Sequence, residues 1–142
     1  MIQRIQSVWL LLATCASALM YRMPLWEYRR TENAEATPYL APESLLLLTL
    51  ITLSVLLALG TVFLFRNRPL QKKLCLTGTL ISAGIIALEV VQVEGLRKTL
   101  APVSGLWQFG ALMPLLMMVC YILAFIGIRK DEALMKSLDR LR

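Results

Sequence analysis

The chain has 142 residues, of which 58% are hydrophobic and 17% charged. Its mean hydropathy is +0.67. Soluble domains are about 45–50% apolar and about 25% charged, so this composition argues against a water-soluble globular domain. The formal charge is +6 and histidine is absent, which removes the commonest general base and the commonest metal ligand. Cys15, Cys75 and Cys120 are far apart and form no CxxC pair. That spacing speaks against a zinc site, a disulfide framework and a thioredoxin-type motif.

A membrane helix needs about 20 mostly apolar residues to cross a hydrocarbon core of about 30 Å. The first candidate covers 5–23, with no charge between Ile5 and Tyr21. A competing reading makes Met1 to Ala18 a signal peptide, with Ala16-Ser17-Ala18 as the cleavage site. Leu12-Ala13-Thr14-Cys15 is a poor lipoprotein box, because threonine precedes the cysteine. The apolar run continues through Leu19, Met20 and Tyr21, which favours a true first span. A polar connection follows from Tyr21 to Glu43, rich in turn signals such as Pro24, Pro38 and Pro42.

The second span covers 44–65 and carries no charge. A short basic turn, Arg66 to Lys73, leads to the third span, 74–93, which contains one acid, Glu89. Its small residues Gly78, Ser82, Ala83, Gly84 and Ala87 predict a central place in the packing. A mixed connection runs from Glu94 to Gly105. The fourth span covers 106–128 and contains Pro114, expected to kink it. The remaining 129–142 is a charged tail. Leu134, Leu138 and Leu141 fall at helical spacing with basic residues opposite, so an amphipathic helix is predicted there. The fold expected is therefore an all-α integral membrane protein. It is a single domain over 1–142, a four-transmembrane-helix up-and-down bundle with a short cytoplasmic helix at its carboxyl end.

Lys and Arg collect in short cytoplasmic loops. With the amino terminus inside, ten of the 15 cations lie inside and five outside. Four of the inner ones, Arg66, Arg68, Lys72 and Lys73, share the central turn. Both termini are expected in the cytoplasm.

Few residues offer chemistry. Glu89 lies roughly 22 Å along the third span at 1.5 Å per residue, near the outer boundary. With Arg22, Gln92 and Gln108 it makes a candidate outer polar cluster, either a structural tie or a proton or substrate site. At the other end Arg4, Arg129, Lys130, Asp131, Glu132, Lys136, Arg140 and Arg142 make a candidate cytoplasmic interaction surface, in which Arg4 pairs with Asp131 or Glu132. Trp9, Trp26, Trp107, Tyr21 and Tyr28 read as interfacial aromatics. Met113, Met117 and Met118 read as helix filler and the cysteines as inert thiols. No catalytic residue, cofactor site or metal site is assigned. The basic turn lacks interleaved aromatics, so no nucleic-acid partner is expected.

The two ends carry a resemblance. The opening Met1-Ile2-Gln3-Arg4-Ile5-Gln6-Ser7 resembles the start of a family of small bacterial membrane proteins of unknown function with four predicted helices. The closing Ile128-Arg129-Lys130-Asp131-Glu132-Ala133-Leu134, with Lys136-Ser137 and Asp139-Arg140-Leu141-Arg142, resembles its end. The likeness covers the whole chain in layout and only these ends in residues. The family usually has a small residue where Leu138 stands. The resemblance implies a multi-pass inner-membrane protein of a Gram-negative bacterium, and it brings no activity or cofactor.

The function expected is a non-catalytic accessory or interaction subunit. Its partners would be the bilayer, including anionic lipid at the tail, and a membrane or cytoplasmic protein or further copies of itself. The alternative is a small oligomeric transporter or channel.

Overall fold

Leucine-rich runs without charge satisfy their own backbone as helices, and four such runs frame the molecule. The computed structural model describes the backbone of residues 3–64 and 67–139, and the side chains of residues 6–64 and 67–135. Its helices are α1 (Gln3–Leu19), α2 (Leu45–Phe63), α3 (Arg68–Leu100) and α4 (Met113–Asp139). Three strands, β1 (Pro24–Arg29), β2 (Thr37–Leu40) and β3 (Ser104–Trp107), lie in the connections. Short 3-10 turns at Ala41–Glu43 and Phe109–Leu112 lead into α2 and α4.

The chain is mostly helical, but the expectation of an all-α fold left out the sheet. Its order is β2-β1-β3, antiparallel throughout. Trp26 stands opposite Tyr39 on one side and Trp107 on the other. These aromatics suit a pleated, half-buried surface. The connections expected as turns around Pro24 and Pro38 are therefore ordered strands.

Several boundaries also move. α1 ends at Leu19, where the Leu19 carbonyl accepts from both Arg22 and Met23, so residues 20–23 of the expected first span form a turn. α3 begins at Arg68, capped by the Asn67 side chain with Pro69 in its first turn. Arg68, Lys72 and Lys73 thus belong to a helix, while Arg66 lies outside the described residues. α3 runs on past the expected end at Val93 to Leu100. It stops at Ala101, which adopts a left-handed backbone (φ 41°) and is followed by Pro102. Pro114 occupies the first turn of α4, where its missing N–H is no loss; it starts the helix and does not kink it. α4 continues without a break through the expected tail helix as far as Asp139.

Three helical stretches are long and apolar enough to cross a membrane, namely Leu45–Phe63, Arg68–Leu100 and Phe109–Met135. The apolar part of α1, Gln6–Leu19, is shorter. The exterior carries large apolar side chains, among them Leu46, Leu56, Leu80, Val91, Leu115 and Ile122. Such continuous exposed apolar surface marks contact with lipid or protein.

The helices pack in a ring in which α1 meets α2 and α4, and α3 meets α2 and α4. The broadest contacts are those of α4 with α1 and α3, and α3, expected to be central, is one of four members of the ring. Small residues line the seams: Ala13, Ser17, Ser54, Ala58, Gly78 and Ser82 are all buried, whereas Ala83 and Ala87, expected in the packing, face outward. Gly78 has a specific reason. A Cβ there would lie 2.5 Å from the ring of Tyr121 on α4. At Gly84 a Cβ would meet nothing within 4 Å.

Gly78→Ala should therefore force the Tyr121 ring to shift. Overpacking of this kind costs about 1–3 kcal/mol, partly offset by about 1 kcal/mol of better helix propensity. Thermal unfolding in detergent should show a lower melting temperature for Gly78→Ala and none of this loss for Gly84→Ala.

Candidate functional site

The interior has two apolar clusters. One lies under the sheet and joins Met20, Leu25, Trp26, Tyr28, Tyr39, Leu47, Ile51, Ile85, Val93 and Met117. The other fills the remaining length with Leu10, Ala13, Ala58, Cys75, Cys120, Tyr121, Ala124 and Ile128. Tyr121 is fully buried, and its hydroxyl donates to the Ser54 carbonyl at 3.2 Å.

Glu89 is 2% exposed. On α3 it falls one turn from Ile85 and one turn from Val93, on the face that forms the core under the sheet. Its Oε1 has no hydrogen-bond partner among the described residues, and neither has Nε1 of Trp26. A buried polar atom left unpaired costs about 1–3 kcal/mol.

The expected outer polar cluster does not assemble. Gln92 donates to the Ser44 hydroxyl at 3.2 Å, tying α3 to the start of α2. Gln108 donates to Glu27 Oε2 at 2.8 Å, tying the entry of α4 to β1. Arg22 is exposed. None of the hydrogen bonds or ion pairs among the described residues joins any of the three to Glu89. The cause is the sheet, which engages Gln108 and covers that end of the bundle with apolar side chains. Trp26 also departs from the interfacial role expected of it. It is completely buried, stacks on Tyr28 with ring centroids 5.2 Å apart, and lies under the Arg97 guanidinium at 5.8 Å. Trp107 is exposed, as an interfacial aromatic should be.

At the other end the carboxylates of α4 find partners that sequence spacing did not identify. The Gln6 amide of α1 donates to Asp131. Lys72 of α3 pairs with Glu132. Gln71 donates to the Thr61 carbonyl at 3.2 Å, closing α2 onto α3. Arg129 is exposed and lies over the Phe125 ring at 5.8 Å, and Lys130 is exposed. The side chains of Arg4 and Lys136, and residues Arg140 and Arg142, lie outside the described residues. The amino end does meet the start of the tail, through Gln6. A polar residue at Gln6, one turn inside an apolar helix, was the signal that could have identified it.

Surface hollows among the described residues include one of about 330 Å3 along Trp107, Phe109 and Leu112 at the sheet end. Another, about 240 Å3, opens beside β1 and β3 between Glu27, Arg29 and Ser104. A further one, about 320 Å3, lies between the start of α3 and the later part of α4. Among the described residues no three His, Cys, Asp or Glu side chains come together as a metal site. Cys15, Cys75 and Cys120 are free thiols.

Residues 2–141 match the family model described as "Domain of unknown function (DUF4293)". The chain belongs to this family. The match takes in the sheet segments as well as the helices. No curated protein and no solved structure matches the chain.

Tyr39 on β2 is buried, and its phenol pKa is raised above 10.0 by that burial and, secondarily, by the negative charge of Glu43. The folded state thus favours the protonated phenol. Its contribution to stability is fully present below the unfolded value of about 10 and is lost as pH rises through the higher folded value. Thermal unfolding followed from pH 9 to pH 12 should show falling stability, and the fall should be shallower in Tyr39→Phe.

Proposed function

We propose that this DUF4293 protein is a non-catalytic accessory or interaction subunit of the bacterial inner membrane. It crosses the bilayer four times, as a single domain with both termini in the cytoplasm. In this reading α1 is the fourth crossing. Its 17 residues extend about 26 Å, and Val8, Leu11, Leu12 and Leu19 face outward to lipid. The basic ends of α3 and α4 then lie inside and the sheet lies outside.

The observation that carries the non-catalytic reading is how the buried hydroxyls are engaged. The buried hydroxyls of Ser17, Thr61 and Ser82 donate to carbonyls of their own helices, and Ser54 is taken up by Tyr121. These hydroxyls are therefore committed to the protein itself. The partner surface is the cytoplasmic extension of α4, where Arg129 and Lys130 are exposed beside Leu134 and Met135. Lys136, Arg140 and Arg142 belong to the same segment in sequence.

The test is purification of the full chain from its native membrane in mild detergent, through a tag joined to the carboxyl end by a long flexible linker. A protein partner should be recovered in stoichiometric amount. Reversal of Lys130, Lys136 and Arg140 to Glu should release it while leaving the bundle folded. Recovery of the wild type alone, or as a homo-oligomer, overturns the accessory reading.

Glu89 supports a second reading, a small oligomeric transporter, because its buried Oε1 is unpaired within a span. Reconstitution into liposomes separates the two. Proton or solute flux in the wild type that is lost in Glu89→Gln supports transport. Equal, background-level flux in both proteins supports the accessory role.

A further inference from the structure

The groove between the inner ends of α3 and α4 joins two kinds of surface. It encloses about 320 Å3 and is lined by Pro69, Lys72, Lys73, Leu76, Phe125 and Arg129. Three of these are cations and three are apolar. Lys72 is paired with Glu132. Counting that pair as neutral leaves Lys73 and Arg129, both exposed, as two positive charges at the rim. Asp131 does not reduce this charge from the groove side, because it is buried and engaged by Gln6 of α1.

The apolar part of the groove continues into the lipid-facing surface. On α3, Lys73, Leu76 and Leu80 follow at helical spacing, and both leucines are exposed. On α4, Ile122, Phe125 or Ile126, and Arg129 do the same, with Ile122 and Ile126 exposed. Each helix therefore carries a cation at its inner end and apolar side chains one and two turns deeper on one face. An anion with an attached hydrocarbon chain matches this order: charge at the rim and chain along the strip. A free anion would leave the apolar floor uncovered, and an apolar ligand would leave the two cations unanswered. Basic pockets between membrane helices at the cytoplasmic face have the chemistry to hold phospholipid head groups.

We propose that this groove is a binding site for one anionic phospholipid of the inner leaflet. Lys73 and Arg129 hold its phosphate, and an acyl chain lies along Leu76, Leu80 and Ile122. The proposal rests on the membrane reading above but not on the protein partner, whose surface shares Arg129 with the groove and otherwise lies farther along α4.

Native mass spectrometry of the full chain in mild detergent tests it, with dioleoyl phosphatidylglycerol and dioleoyl phosphatidylcholine as probes. The wild type should retain one phosphatidylglycerol in preference to phosphatidylcholine. Each cation contributes about fivefold at a membrane surface, so Lys73→Gln and Arg129→Gln should each lower the preference about fivefold and together nearly abolish it. The exposed outer pair Arg29→Gln and Arg30→Gln should leave it unchanged. Equal retention of the two lipids overturns the proposal, as does a preference that survives the Lys73→Gln, Arg129→Gln double change. Displacement of the phosphatidylglycerol by millimolar inorganic phosphate also overturns it, since the site would then read a phosphate and not a lipid. Circular dichroism on each variant establishes that the helices are intact. If the double variant unfolds, the two single variants carry the same prediction.

Discussion

Tyr121 ties three helices together across the ring. It stands on α4, its ring fills the notch left by Gly78 on α3, and its hydroxyl reaches Ser54 on α2. Lipid is as apolar as leucine, so burial of leucine alone gives no reason for helices to associate. Close approach and an internal hydrogen bond supply that reason here. Large apolar side chains can then stand outside as well as in the core, unlike the usual soluble arrangement. Ala13, Ala58 and Ala124 lie in the same cluster as Tyr121, where short side chains leave room for the ring.

The two ends of the bundle are closed by different means. At the end where α3 begins and α4 finishes the closure is polar, through Gln6 with Asp131, Lys72 with Glu132 and Gln71 with the Thr61 carbonyl. Those pairs join all four helices; Gln6, Gln71 and Asp131 are buried, whereas the partly exposed Lys72–Glu132 pair adds little on its own. At the sheet end the closure is apolar. The sheet places Leu25, Trp26, Tyr28 and Tyr39 in one core with α2, α3 and α4. The longer reach of α3 serves this cap, since Leu96 and Leu100 pack against it beyond the expected end of the span.

Apolar runs of 19 residues or more were legible because a membrane helix needs no polar face, and the helical spacing of Leu134 was enough to continue α4. The sheet was harder to read for a physical reason. Trp26-Glu27-Tyr28-Arg29 alternates as a strand should, but Pro24 and Pro38 at its margins signal turns, and both sit in strands with free edges or irregular register. Leu106 and Trp107 were hidden by continuity with the apolar run behind them, so β3 was taken into the fourth span. The dispersal of Arg22, Gln92 and Gln108 follows from the same omission. Their depths along the chain were similar, but a sheet lies at that level, and it gives Gln108 to Glu27. Glu89 was identifiable because an acid inside a span is costly. Its isolation was not, because isolation depends on what the connections do.

That isolation bears on function. A buried charged or polar group can often be replaced by a well-packed apolar one at little cost or with a gain in stability. Glu89 makes no hydrogen bond through Oε1 and ties nothing together there, so its structural return is small. Breaches of a local packing rule are expected where a protein does something beyond folding. The engaged hydroxyls point toward a static accessory protein, whereas the orphan acid points toward a group that exchanges protons or ligands. The cap reconciles them. Trp26 leaves its own Nε1 unpaired in the same core that Ile85 and Val93 share on either side of Glu89. Trp26 Nε1 and Glu89 Oε1 are thus a donor and an acceptor, each without a partner among the described residues. A static role requires the cap to remain closed despite this cost. A transport role requires the strands to lift and admit water to Glu89. The motion of Pro24–Arg29 and Ser104–Trp107 relative to α3 is therefore the structural quantity on which the two readings differ.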